Sequence, residues 1–148
     1  MGDYNLDKML AELQNLMGDK LELSEDAFFN WIHISPDQLL VLMDKLKNEY
    51  GFNYLANLTA VDYGEYFEIV YHLYSIPANN KTGVKTRVSR NQAQVDSVCL
   101  IWPTADWQER EVYDLMGIDF KGHPNLVRVL LPDDFTGHPL RKDFEMER

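Results

Sequence analysis

The chain has 148 residues, a hydrophobic share of 45%, a charged share of 26% and a formal net charge of −10, which describes one soluble domain long enough to bury a core. No apolar run approaches the roughly 20 residues that span a bilayer, and the acidic opening MGDYNLDKML lacks the basic and apolar regions of a secretory signal. The lone Cys99 excludes an internal disulfide framework, and the acid excess (13 acids against 4 bases in residues 1–74, 11 against 10 in residues 75–148) is the reverse of a nucleic-acid binder's basic face.

In chain order, Leu6, Met9, Leu10, Leu13, Leu16 and Met17 recur at steps of three and four, an amphipathic helix over 7–17 stopped by Gly18. Residues 27–34 (AFFNWIHI) are aromatic and β-branched, which predicts a strand. Ser35-Pro36-Asp37-Gln38 then reads as a capping box with proline at the first helical position. A helix with a buried stripe of Leu39, Leu40, Leu42, Met43 and Leu46 follows, and Gly51 is placed to end it.

Residues 54–62 and 66–76 predict two more strands around the turn Tyr63-Gly64-Glu65. In the second, Phe67, Ile69, Tyr71 and Leu73 share one face. Residues 77–83 read as a loop and 84–89 as a last strand, with Val84, Thr86 and Val88 inward. Residues 96–101 predict one helical turn before Trp102-Pro103. A helix from Thr104 or Asp106 to Met116 follows, with Gly117 as its stop and Asp106 with Glu109 at capping-box spacing. The pattern is α+β: an N-terminal helix, a β-α-β-β-β sheet layered with helices on one side, and the helix 104–117.

After that helix all periodicity is lost. Residues 121–148 still carry Leu126, Val127, Val129, Leu130, Leu131, Phe135, Leu140 and Phe144, so they must rest on another surface, either this domain or a neighbouring chain. Residues 1–120 therefore read as the α+β domain and 121–148 as an extended C-terminal docking tail.

On a helical wheel Trp107, Arg110, Glu111 and Asp114 share one side of the helix 104–117, with Arg110 and Asp114 spaced to pair. Glu109 projects from the apolar side with Val112 and Met116. A carboxylate there needs partners, and Arg128 or Arg141 of the tail, or tail backbone donors, are the expected ones. Gly122-His123-Pro124 and Gly137-His138-Pro139 form a repeated tripeptide. Two loop histidines could hold a metal with Asp119, Asp133 or Asp134, but histidine beside glycine and proline more commonly fixes a turn through a backbone carbonyl. The chain has no HExxH, CxxC, phosphate-binding glycine loop or four-cysteine set. Cys99 between Val98 and Leu100 reads as core packing. No catalytic, cofactor or metal residues are expected.

The run Ala105-x-Trp107-x-Glu109-Arg110-Glu111-x-x-Asp114-Leu115-Met116-Gly117, then Phe120-x-Gly122-His123-Pro124-x-Leu126, Leu131-Pro132-Asp133-Asp134 and Gly137-His138-Pro139-Leu140-Arg141-Lys142-Asp143-Phe144 resembles the 30 kDa subunit family of respiratory complex I, the proton-translocating NADH–quinone oxidoreductase. Val127 stands where that family usually has a basic residue or proline before Arg128, and Phe135 where tryptophan is common. The resemblance implies a non-catalytic docking subunit on the cytoplasmic side of the membrane, packed chiefly against the large subunit of the quinone site. NADH, iron–sulfur clusters and quinone are expected in partner subunits, with none in this chain. It also implies that Trp107, Glu109, Arg110, Glu111, Asp114, Gly122, His123, Arg128, Gly137, His138, Arg141 and Lys142 serve the interface or its support. Related subunits occur in membrane-bound hydrogenases and complexes with other donors, the second reading. A stand-alone metal-dependent enzyme using His123 and His138 is the remote third.

Overall fold

The computed structural model describes residues 6–76, 78–132 and 134–144. Helix α1 (Leu6–Met17) buries Met9, Leu10 and Leu13 of the predicted stripe and packs Leu6 and Met17 partly against the core, but Leu16 is exposed. Strand β1 (Leu21–Glu25) follows and pairs antiparallel with β2 (Asn30–Ile34), Leu21 opposite Ile34. The predicted strand at 27–34 is thus shorter than expected. Its first residues form a turn in which Asp26 accepts the N–H groups of Phe28 and Phe29 and the Trp31 indole N–H, each at 2.8 Å.

Helix α2 (Leu39–Asn48) is entered through a 3-10 turn, Pro36–Gln38, with proline in its first turn. The Ser35 side chain makes no capping bond, so the expected capping box does not form. The Ser35 carbonyl instead accepts the Gln38 N–H at 3.0 Å, which the tighter turn allows. Gly51, at φ 76°, ends the unit as predicted.

Strands β3 (Tyr54–Asp62), β4 (Tyr66–Ser75) and β5 (Asn80–Ser89) make an antiparallel meander, and β2 joins β5 in parallel, giving the order β1-β2-β5-β4-β3. Part of the predicted loop 77–83 therefore belongs to β5. Phe67, Ile69, Tyr71 and Leu73 lie buried on one face with Val84, Ile32, Leu55 and Leu58, and the same core takes in Leu39, Leu42 and Met43 of α2 and Met9 and Leu13 of α1, whereas Leu40, expected in the α2 stripe, is exposed. The helices cover that one face, as the period of two in β4 requires. On the other face Trp31 lies over Gly83, where an added Cβ would come within 2.1 Å of the indole ring. Glu68 is buried there between Arg87 (3.0 Å) and Lys85 (3.8 Å).

Residues 94–96 form a short strand β6 (Gln94–Asp96), not the start of a helical turn. It pairs in parallel with β7 (Asp119–Lys121), and the turn follows at Val98–Trp102, where the Val98 carbonyl accepts the N–H of Ile101 and Trp102. Helix α3 (Ala105–Met116) lies against the outer edge of β3. There the Gln108 side-chain oxygen accepts the Leu58 N–H at 2.6 Å and the Trp102 indole donates to the Phe52 carbonyl at 2.9 Å. An edge strand that would otherwise expose its ladder is closed by a helix. No helix among the described residues is long and apolar enough to cross a membrane.

Candidate docking face: helix α3 and the tail

Helix α3 carries two carboxylates with no solvent exposure, Glu109 and Asp114. Asp114 lies in the last turn, where the helix dipole disfavours a negative charge, so its burial requires strong donors. It has four. The Arg128 guanidinium reaches it at 2.6 Å, and the backbone N–H groups of Val129, Leu130 and Leu131 donate to one of its oxygens at 3.0, 2.7 and 3.0 Å. Burial alone would raise this carboxyl, but the Leu130 N–H, Arg128 and the other two N–H groups hold it below its ordinary value. The expected Arg110–Asp114 pair does not form. Arg110 lies over the Trp107 ring at 5.1 Å and donates to the Val127 carbonyl at 3.4 Å.

Arg128 also donates to the carbonyls of Asp114 (3.0 Å) and Gly137 (2.7 Å), and so ties the helix end to two points of the tail. The second Gly-His-Pro closes the same corner, with His138 Nδ1–H donating to the Asp114 carbonyl at 2.9 Å and the Leu140 N–H to the Leu115 carbonyl at 2.8 Å. Gly117 must be glycine here on two counts: its φ is 74°, and an added Cβ would sit 2.7 Å from the His138 ring. At Gly137, φ 99°, a Cβ would meet the Phe144 ring at 2.8 Å.

Another carboxylate, this one on the sheet, holds the far end of the tail. Asp62, at the end of β3, accepts two bonds from Arg90 at 2.7 Å each, the Gly64 N–H at 2.8 Å and the Lys142 N–H at 2.7 Å. Burial raises this group, while the Lys142 and Gly64 N–H groups and Arg90 outweigh it and set it below its usual value. Arg141 lies over the Phe67 ring at 5.0 Å and pairs with Asp143 at 3.2 Å. Sequence reasoning misses Asp62. The Asp-x-Gly spacing at a strand end, which favours an Asx turn, is the signal that could find it.

Glu109 is buried, as its place on the apolar side predicts, but its partners are not the expected ones. Neither Arg128 nor Arg141 reaches it, because Asp114 and Asp143 engage them. Ser97 Oγ–H donates to it at 2.5 Å and the Val98 N–H at 2.8 Å, both from the turn after β6. With no cation bonded to it among the described residues, burial pushes its carboxyl up to about 7 against the pull of those two donors. The expected Asp106–Glu109 capping box is absent for the same reason: Glu109 turns inward, and Asp106 meets His123.

The first Gly-His-Pro repeats the logic of the second. His123 Nε2–H donates to the Asp106 carbonyl at 3.1 Å and lies 2.9 Å from its carboxylate, while Nδ1 accepts the Asn125 N–H at 3.0 Å. Each histidine thus pins a loop to a carbonyl of α3. Those carbonyls lie eight residues, or about 12 Å, apart along the axis, too far for the two rings to share one metal. Asp133, the acid expected to help them, lies outside the described residues. Gly122, at φ 83°, has open space around it. Glu111 accepts the Trp107 indole N–H at 2.8 Å on the outer face.

Among charged and polar neighbours, large apolar side chains of the helix and tail remain on the surface. Trp107 is 51% exposed, Val127 43%, Leu130 54% and Leu140 60%. The tail is fixed to the body through its backbone and arginines, and several of its large side chains point away.

The sequence profile described as "Respiratory-chain NADH dehydrogenase, 30 Kd subunit" matches residues 32–148. The chain belongs to this family. An NADH-quinone oxidoreductase subunit of Moorella thermoacetica is 49% identical over 144 residues, covering 96% of this chain and 97% of the relative. The corresponding NADH-quinone oxidoreductase subunit of Geotalea uraniireducens is 44% identical over 130 residues, 86% and 79% of the two chains. Among solved structures, a trypsin-resistant fragment of Nqo5 superposes with a TM-score of 0.73 at 29% identity, covering 82% of this chain and 98% of the fragment. A chain of the membrane-bound sulfane sulfur reductase, an archaeal respiratory membrane complex, superposes with a TM-score of 0.81 at 26% identity, covering 95% and 85%. These relatives are subunits of multisubunit respiratory complexes.

Proposed function

We propose that the chain is a docking subunit of the peripheral arm of a membrane-bound NADH–quinone oxidoreductase. It packs through the outer face of α3 and the tail against the large quinone-site subunit, on the cytoplasmic side of the membrane. It contributes surface, not redox chemistry, to electron transfer from NADH to quinone, whose cofactors reside in partner subunits. The observation that carries this reading is the tail itself. Buried carboxylates lock its backbone to the body while Val127, Leu130 and Leu140 stay exposed, as does Trp107 of α3. Covering each half-exposed side chain is worth roughly 1 kcal/mol, and a surface already ordered avoids the entropy of ordering it on contact.

Truncation after Pro132 tests the reading. The shortened chain is expected to lose co-purification with the large subunit while keeping the circular dichroism of the sheet. A truncated chain that still assembles would overturn it.

A second reading has its own support. The superposition on the sulfane sulfur reductase chain covers more of this chain than that on the Nqo5 fragment, so the fold also serves a respiratory complex that acts on sulfane sulfur. Turnover of the assembled complex with NADH, against turnover with other donors, separates the two. The remote reading of an enzyme built on His123 and His138 loses its geometric basis, since each ring is committed to a different turn of α3.

A further inference from the structure

The fold gathers three potential metal ligands that the sequence scatters over 25 positions. Cys99 lies in the turn after β6, Glu109 on the inner face of α3 and His123 in the loop after β7; their ligand atoms all lie within 4.8 Å of one another. The thiol is buried, the carboxylate is buried and the imidazole side chain has no exposure. We infer that Cys99, Glu109 and His123 form a buried site for a borderline divalent ion of the zinc class, which clamps the β6 turn and the loop after β7 onto α3.

Three lines of chemistry converge. The first is the donor set: one sulfur, one nitrogen and one oxygen suit zinc, whereas calcium or magnesium would want oxygens alone. Tetrahedral zinc places its ligands about 3.3–3.8 Å apart, so the three groups need close in by only about 1 Å. The second is charge. A thiolate and a carboxylate neutralise a divalent ion, which removes the cost of a buried carboxylate that has only two neutral donors and no bonded cation.

The third line is orientation. Zinc-bound histidine typically donates its other ring N–H to a carbonyl or carboxylate, and His123 Nε2–H already faces the Asp106 carbonyl and carboxylate. Nδ1 is thereby left as the lone pair. Its present partner is the N–H of exposed Asn125, which water can serve once a metal takes its place. Ser97 Oγ–H and the Val98 N–H hold Glu109 from behind. A water completes the tetrahedron. The Tyr71 hydroxyl, fully buried, without a hydrogen-bond partner among the described residues and within electrostatic range of Glu109, is the kind of orphan that an ion or ordered water accounts for. A metal here holds local structure and adds nothing to electron transfer.

Cobalt(II) is the probe, with the full-length chain first stripped by chelator. One equivalent should give the visible bands of tetrahedral cobalt and a sulfur-to-cobalt charge-transfer band whose intensity per chain does not change on dilution. Zinc should abolish both and raise the melting temperature. Cys99 is the only thiol, so the charge-transfer band reports on it in the wild-type chain, whether or not any variant folds. Cys99→Ala should abolish the band, and Glu109→Gln should weaken cobalt binding by about 100-fold or more, given that losing even an outer partner of a ligand costs 10–100-fold. An octahedral spectrum without the sulfur band, or a band that survives Cys99→Ala, would overturn the site.

Discussion

Glu109 and Asp114 lie five residues apart on one helix, both without solvent exposure, yet their surroundings are opposite. On the body side, Glu109 meets a hydroxyl and one backbone N–H, with no cation bonded to it. On the tail side, Asp114 meets a guanidinium and three backbone N–H groups. Burial pushes the first carboxyl up to about 7, and donors hold the second below its usual value. Burial alone therefore does not decide what a carboxylate does. The number and charge of its donors decide whether it holds structure together or stays costly until something compensates it. In this helix the tail supplies the compensation on one side only.

The largest effect should come from Asp114→Ala. It strands Arg128, which is itself mostly buried, and three backbone donors. Breaking a buried pair in this way costs about 3–5 kcal/mol. The variant should expose the peptide bonds after Arg128, Arg141 and Lys142 to trypsin while the sheet's amides keep their protection from exchange. Unchanged tryptic resistance would mean that the tail is held by its apolar contacts instead.

Acid should reach the same end point without mutation. Asp114 and Asp62 both have folded values depressed below 3.8. Their contribution is therefore fully present above that ordinary value and disappears as pH falls through the lower, folded values. The tail should detach in that acid window before the five-stranded sheet melts. Amide exchange at Val129–Leu131 and at Lys142, compared with Ile69 and Tyr71, checks the order of events. Simultaneous loss would merge tail and body into one cooperative unit.

Gly117→Ala is the next step down. Forcing a left-handed residue to carry a Cβ costs about 1 kcal/mol or more, and the contact with the His138 ring adds to it. The damage should concentrate on the tail's corner, read as faster exchange of the Leu140 N–H, whose acceptor is the Leu115 carbonyl.

How much of this is legible in the chain follows the range of the forces involved. The inward face of β4 and the stop at Gly117 are local patterns, and the structure matches them; it matches the stripe of α1 except at Leu16, which is exposed. Strand β1 escapes a reading by periodicity because LELSE buries only Leu21; its place comes from pairing with β2. The three-residue strands β6 and β7 are likewise too short to carry a period. Glu109 is legible as buried because the helical wheel places it among Val112 and Met116. Asp114 reads as surface because the same wheel puts it beside Trp107, and only the aperiodic tail covers it. A signal is present nonetheless: an acid in the last turn of a helix opposes the dipole and calls for donors. The two Gly-His-Pro turns behave as their chemistry suggests, each imidazole donating to a helix carbonyl, although nothing local gives the spacing between those carbonyls.

Glu109→Gln probes the other half of the comparison. With no bonded cation to lose and an amide oxygen still able to accept the Val98 N–H, the metal-free variant should stay within about 1 kcal/mol of the wild type. That is a fraction of the Asp114→Ala effect at equal burial. A loss as large as that of Asp114→Ala would mean that Glu109 has a compensating partner of its own.

The smallest effect on the isolated chain should come from Arg110→Ala. Its long bond to the Val127 carbonyl and its contact with a half-exposed Trp107 are worth about 0.5 kcal/mol, so the melting temperature should barely move. Assembly is a different matter. If the outer face of α3 meets a neighbouring subunit, Arg110 and Trp107 lie among the exposed apolar side chains of that contact, where arginine and tryptophan typically dominate binding. Co-purification with the large subunit should then fall by far more than stability does. Equal, small losses in both measurements would move the interface away from α3 and leave the exposed leucines of the tail as its only claimants.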